Sequence, residues 1–180
     1  MSITVAKSAG FCFGVNRAIN IVNSLLDKNV KVSTLGPIIH NMEVVNELES
    51  RGCKAVDNID EVEKDATLVI RSHGVPKYVI DKLDENGVKY EDATCPFVKK
   101  IHNIVANPDN KDGIVLIAGN SVHPEVEGII GHCSTECHTF KNSEEIDEIY
   151  NIVLKKNNKQ VFVVAQTTFD TKEWKKCRSE

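Results

Sequence analysis

The feature that most restricts the fold of this chain is a repeated order of elements: a short apolar run, an irregular segment, then apolar residues at helical spacing. Residues 3–6 are β-type, and residues 15–26 place Val15, Ala18, Ile19, Val22, Leu25 and Leu26 on one helical stripe. Residues 30–35 form the next apolar run. Residues 41–50 follow as a helix with Val44, Val45 and Leu48 on one face, stopped by Arg51-Gly52. Thr67-Leu68-Val69-Ile70 reads as a buried strand, and Ser72-His73-Gly74-Val75-Pro76 leads into a helix reaching about residue 86, with the proline suited to its first turn.

A short strand around Tyr90 precedes Cys95-Pro96, which opens a helix to about residue 106. Asn107-Pro108-Asp109-Asn110 ends it, because the residue before a proline avoids helical backbone. The loop 107–112 is rich in turn residues. Residues 114–118 are apolar, and Gly119 to Glu125 leads into a helix bearing Val126, Ile129 and Ile130. An amphipathic helix over 141–156 with Ser143 as N-cap follows, then a buried strand over 161–165 and a last helix capped by Asp170. Strands alternating with helices predict an α/β fold of βαβ units with mostly parallel sheets flanked by helices, and ligands at the carboxyl ends of strands. Ser72-His73-Gly74-Val75-Pro76 and Ser121-Val122-His123-Pro124-Glu125 echo one another, which suggests two similar lobes divided near residues 95–98.

With 180 residues, 41% hydrophobic and 27% charged, the chain can build a core without covalent staples. A formal charge of -4 excludes a broad nucleic-acid-binding surface, which needs an excess of Lys and Arg. The first ten residues read as neither a signal peptide nor a membrane span, so a cytoplasmic location without membrane attachment is expected. In that compartment the six cysteines stay reduced, free for metal binding or catalysis.

Cys12 lies in Gly10-Phe11-Cys12-Phe13-Gly14 and Cys95 in Ala93-Thr94-Cys95-Pro96, each between a strand-like and a helix-like run. Their spacing alone is compatible with a shared metal or with two separate buried thiols. Cys53 reads as a small buried hydrophobe. His132-Cys133-Ser134-Thr135-Glu136-Cys137-His138 resembles half of a zinc site, or else a turn and the start of a strand. His40, His73 and His123 each follow a strand, where imidazoles, Thr167 and helix N-termini can donate hydrogen bonds to a diphosphate. His102, beside Lys99 and Lys100, reads as a solvated-face residue. Glu125 opens a helix: it is either a stabilising N-terminal carboxylate or an acid group of a site.

Taken in order, residues 10–18, Arg71-Ser72-His73-Gly74-Val75, Asp92-Ala93-Thr94-Cys95-Pro96, residues 123–128 and Gln166-Thr167-Thr168 resemble the 4-hydroxy-3-methylbut-2-enyl diphosphate reductase family. The resemblance runs through essentially the whole chain. It implies an enzyme of the methylerythritol phosphate route to isoprenoids. Such an enzyme removes the allylic hydroxyl of its substrate with two electrons and protons to give isopentenyl and dimethylallyl diphosphate. It further implies an oxygen-sensitive 4Fe-4S cluster on three cysteines, the first two matched by Cys12 and Cys95, and a ferredoxin or flavodoxin-type electron donor. By the same resemblance His40, His73, His123 and Thr167 bind substrate, and Glu125 is the catalytic proton donor.

The family fold is three-lobed and pseudo-symmetric, so the resemblance divides this chain into 1–13, an N-terminal strand and first cluster loop belonging with a third lobe, then lobes at 14–96 and 97–180. The family's third cluster cysteine matches no residue here; Cys133, Cys137 and Cys177 fall at other positions. Two consequences are expected of a chain of these residues alone: residues 3–6 lack sheet neighbours, and a cluster is weakly held. An inactive fragment or diphosphate-binding module is the alternative function, and a structural zinc protein a third.

Overall fold

The computed structural model describes residues 2–6, 9–107, 113–152 and 160–177. The chain divides into two compact units: Met1–Ser72 with Val88–Cys95, and His73–Gly87 with Pro96–Glu180.

The first unit is built on a four-stranded sheet in the order β2-β1-β3-β4, with β1 Val32–Leu35, β2 Cys53–Val56, β3 Thr67–Ile70 and β4 Tyr90–Asp92. All its pairings are parallel. Every residue of β3, the inner strand with no polar stripe in its sequence, is buried. Helix α1 (Phe13–Leu26) buries Gly14, Ala18 and Val22, and α2 (Met42–Ser50) buries Val45 and Leu48. Both helices belong to one apolar cluster with Val32, Ile38, Ile39, Val69 and Ala93. Asn41 caps α2 by accepting from the Val44 amide at 3.1 Å.

The second unit has a three-stranded parallel sheet, β6-β5-β7, with β5 Ile114–Ala118, β6 Cys137–Phe140 and β7 Val161–Ala165. Central β5 is buried throughout. Helices α3 (Lys77–Glu85), α4 (Pro96–Val105) and α5 (Pro124–His132) belong to this unit, as do α6 (Ser143–Ile152) and α7 (Thr171–Cys177). Val105, Val126 and Ile129 pack with Val115, Ile117 and Val164; Ile114, Leu116 and Phe140 pack with Phe169, Trp174 and Cys177.

Several expectations change. Residues 3–6 form no strand, and Ile3 and Val5 are exposed: an apolar run becomes a strand only where another strand satisfies its backbone. Cys53 is buried, as read, but it also opens edge strand β2, whose pattern of buried ends and exposed middle gives no period-two signal. Strand β7 lies at an edge and is only partly buried, with Val161 and Val163 open to solvent. Asn142, rather than Ser143, accepts from the Glu145 amide at 2.9 Å at the start of α6. The turn-rich loop and the distal end of the 141–156 helix lie, at 108–112 and 153–156, outside the described residues.

His102 is the largest correction. It is buried on the core side of α4 and stacks on His132, with ring centroids 4.1 Å apart and planes 19° from parallel. Val98, His102 and Val105 are the buried residues of that helix, at the spacing of one helical face.

Candidate functional site

In the first unit the two thiols of interest belong to segments tied together by one arginine. Cys12 is the N-cap of α1, with extended backbone, and its carbonyl accepts from the Asn16 amide at 2.9 Å. From the next turn of that helix, Arg17 donates to the carbonyls of Asp92 (3.2 Å) and Thr94 (3.3 Å), which lie at the end of β4 and just beyond it. Asp92 in turn accepts from the Thr94 amide at 2.9 Å, and the Cys95 amide donates to Ser72 O at 2.9 Å.

Gly14 makes the close approach possible. A Cβ built there would sit 2.6 Å from Cys95 Sγ, so only glycine lets the start of α1 lie against that thiol. Cys12 is exposed and Cys95 half-buried. Two reachable thiols on locked backbone segments, brought close by a glycine, are soft donors that fit an iron-sulfur group. Among the described residues no group of three or more His, Cys, Asp or Glu side chains comes together as a metal-holding cluster, so Cys12 and Cys95 form part of a ligand set. His40 is exposed in the segment that follows β1. A cleft of about 560 Å³ along α1, lined by Phe13, Asn16, Arg17 and Glu91, contains neither cysteine nor histidine.

The second unit assembles the polar groups. Parallel strands β5 and β7 are neighbours, so the segments leaving their carboxyl ends emerge on the same edge. The first carries His123 into α5 and the second carries Thr167. Gly119 lets the two approach: a Cβ there would meet Val126 Cγ2 at 2.7 Å and Gln166 Oε1 at 2.9 Å.

Glu125, 2% exposed, is the most deeply buried carboxylate in this unit's described part. One carboxylate oxygen, Oε1, accepts from the Thr167 amide at 2.7 Å, and the other, Oε2, is 2.8 Å from Thr167 Oγ1. Thr167 is itself exposed, so its hydroxyl connects a buried carboxylate to whatever stands outside. His123 Nδ1 accepts from the Glu125 amide at 3.1 Å. That bond leaves the proton of the neutral ring on Nε2, which is therefore a donor. The rings of His73 and His123 meet edge to face, with centroids 5.8 Å apart.

The structure thus brings Glu125, Thr167, His123 and His73 together in one unit, and Cys12 and Cys95 together in the other. The sequence reading missed Arg17 and Gly14 as organisers of the thiols, although both fall within the run 10–18 that carries the resemblance. Cys133 and Cys137 occupy the end of α5 and the start of β6, which matches the turn-and-strand alternative.

The family model described as LytB protein matches residues 3–180. A curated relative from Alkaliphilus oremlandii (strain OhILAs), named 4-hydroxy-3-methylbut-2-enyl diphosphate reductase, is 43% identical over 173 residues, covering 95% of this chain and 60% of that protein. One of the same name from Clostridioides difficile (strain 630) is 39% identical over 171 residues, covering 94% of this chain and 60% of its own. The solved structure of the E-1-hydroxy-2-methyl-but-2-enyl-4-diphosphate reductase from Plasmodium falciparum superposes with a TM-score of 0.83 at 29% identity, covering 96% of this chain and 54% of that one. The chain spans about 60% of the length of the curated relatives it matches. With the family model matched from residue 3 to residue 180, the chain belongs to the LytB protein family.

Proposed function

We propose that the residues of this chain serve the reductive removal of the allylic hydroxyl of 4-hydroxy-3-methylbut-2-enyl diphosphate, giving isopentenyl and dimethylallyl diphosphate. The observation that carries the proposal is the buried carboxylate of Glu125, held on both oxygens by Thr167. The names of the relatives supply the substrate.

The geometry fixes where a proton can reside. Oε1 faces a backbone amide, which can only donate, so a proton on Glu125 sits on Oε2, against Thr167 Oγ1. The threonine hydroxyl accepts it and passes its own proton to the departing allylic oxygen, which leaves as water. General acid assistance of this kind contributes on the order of 10² to 10⁴ in rate.

His123 donates from Nε2, and His73 stands beside it; with His40 they are the neutral donors proposed to hold the diphosphate, consistent with a chain of net charge -4. Cys12 and Cys95 are the residues that would hold a 4Fe-4S cluster. When bound, that group supplies the two electrons, drawn from a ferredoxin or flavodoxin-type donor.

The proposal is tested by titrating the chain with the substrate and, in parallel, with its parent alcohol lacking the diphosphate. The substrate binds and the alcohol does not; Glu125→Gln retains binding but, after anaerobic loading with iron and sulfide, forms no product. Equal binding of both compounds would overturn the diphosphate assignment. Unchanged turnover in Glu125→Gln would overturn the proton donor.

A further inference from the structure

Cys133 and Cys137 serve neither of the sets described above, yet they are held as a pair. The C-x3-C run joins the C-cap of α5 to the first residue of β6 through a turn fixed by its own side chains. The Ser134 amide donates to Val105 O at 3.1 Å, Ser134 Oγ to Asn107 O at 3.1 Å, and Thr135 Oγ1 to Gly113 O at 2.7 Å. These bonds anchor the turn to the end of α4 and the start of β5. The two sulfurs are in hydrogen-bonding contact with one another. Both are half-buried and pack against the same apolar cluster, so they are close, reachable and backed by rigid structure.

We propose that Cys133 and Cys137 form a redox-active dithiol that closes to an intramolecular disulfide by exchange with a small-molecule disulfide such as oxidised glutathione. The environment assigns the roles. Cys137 is pulled down to about 7 by the hydrogen bond from Cys133, with the charge of His138 assisting and burial opposing. Cys133 moves the other way, chiefly because its thiol donates to Cys137, with burial adding to that. Its single proton has a second acceptor in Ile129 O at 3.4 Å, but an ionised sulfur is the stronger one. Cys137 is therefore the attacking thiolate and Cys133 the resolving thiol.

In the first step Cys137 Sγ bonds to one sulfur of the small disulfide, whose S–S bond breaks and releases one thiolate. Ionised Cys137 no longer exists in that mixed disulfide, so the interaction that held the proton on Cys133 is gone. Cys133 then releases its proton to solvent, attacks Cys137 Sγ and expels the second small thiolate. Both protein thiols lose one electron each, and the small disulfide is reduced to two thiols, which take up the two protons.

The test is to incubate the intact chain, kept anaerobic, with oxidised glutathione, quench with acid, alkylate, and map the cysteine peptides by mass. The wild-type protein yields an internal 133–137 disulfide, and Cys133→Ser traps glutathione on Cys137. Cys137→Ser reacts at Cys133 at least tenfold more slowly. Protection of Cys177, buried in the same unit, reports that each variant is folded. If wild-type Cys133 and Cys137 are both alkylated after equilibration with excess oxidised glutathione, the proposal is overturned; the same holds if wild-type Cys137 stops at the mixed disulfide.

Discussion

Thr167 holds both carboxylate oxygens of Glu125, one through its amide at 2.7 Å and one through its hydroxyl at 2.8 Å, across 42 positions of sequence. Replacing the hydroxyl by a methyl group separates the two bonds. Thr167→Val keeps the amide contact and leaves Oε2 without its protein donor, a loss of roughly 1.5–3 kcal/mol for a hydrogen bond to a charged group. Chemical denaturation of the second unit measures it, and Thr167→Ser, which restores the hydroxyl, recovers most of the loss.

Gly14 lies against Cys95, and Gly14→Ala places a methyl 2.6 Å from its sulfur. Overpacking of this kind costs roughly 1–3 kcal/mol. The thiol is displaced from the position that Arg17 and the Ser72 carbonyl define, so iron uptake per chain falls toward that of Cys95→Ser. Iron and sulfide analysis after anaerobic loading is the readout.

The thiol pair sets a pH dependence. Cys137 reacts as the thiolate, and its titration is pulled down to about 7, so its alkylation rate is low in acid and rises through about pH 7. Burial pushes Cys53 up to about 11, with the charge of Glu49 adding to it, so Cys53 stays unreactive across the same range. Rates of iodoacetamide labelling by peptide, measured from pH 5 to pH 9, check both. In Cys133→Ser the Cys137 profile moves if the hydrogen bond from the Cys133 thiol is its cause.

His102→Ala removes a buried ring from the α4 face and from its stack on His132. A cavity of that size costs roughly 2–4 kcal/mol, whereas a solvated-face histidine would cost within about 0.5 kcal/mol. Denaturation midpoints distinguish the two.

His102 also shows where the sequence was misread. Lys99 and Lys100 drew it to the surface, although its spacing from Val98 and Val105 marked the buried stripe. The βαβ order, the inner strands β3 and β5 and the cap at Asp170 were readable because each depends on local pattern: Asp170 accepts from the amides of Lys172 and Glu173. Edge elements were not. Strand β2 and the exposed side of β7 follow from neighbours remote in sequence, and residues 3–6 lack the partner that would make them a strand. The Glu125–Thr167 pairing is likewise non-local: only the resemblance singled out both residues, and only the fold supplies the two bonds.

The most direct test of the account is an NMR titration of the histidine rings and the Glu125 and Thr167 amides with 4-hydroxy-3-methylbut-2-enyl diphosphate. The account predicts saturable shifts at His73, at His123 and at the Thr167 amide, absent with the alcohol that lacks the diphosphate. Shifts that fail to saturate at these positions, or that the alcohol reproduces, would contradict it.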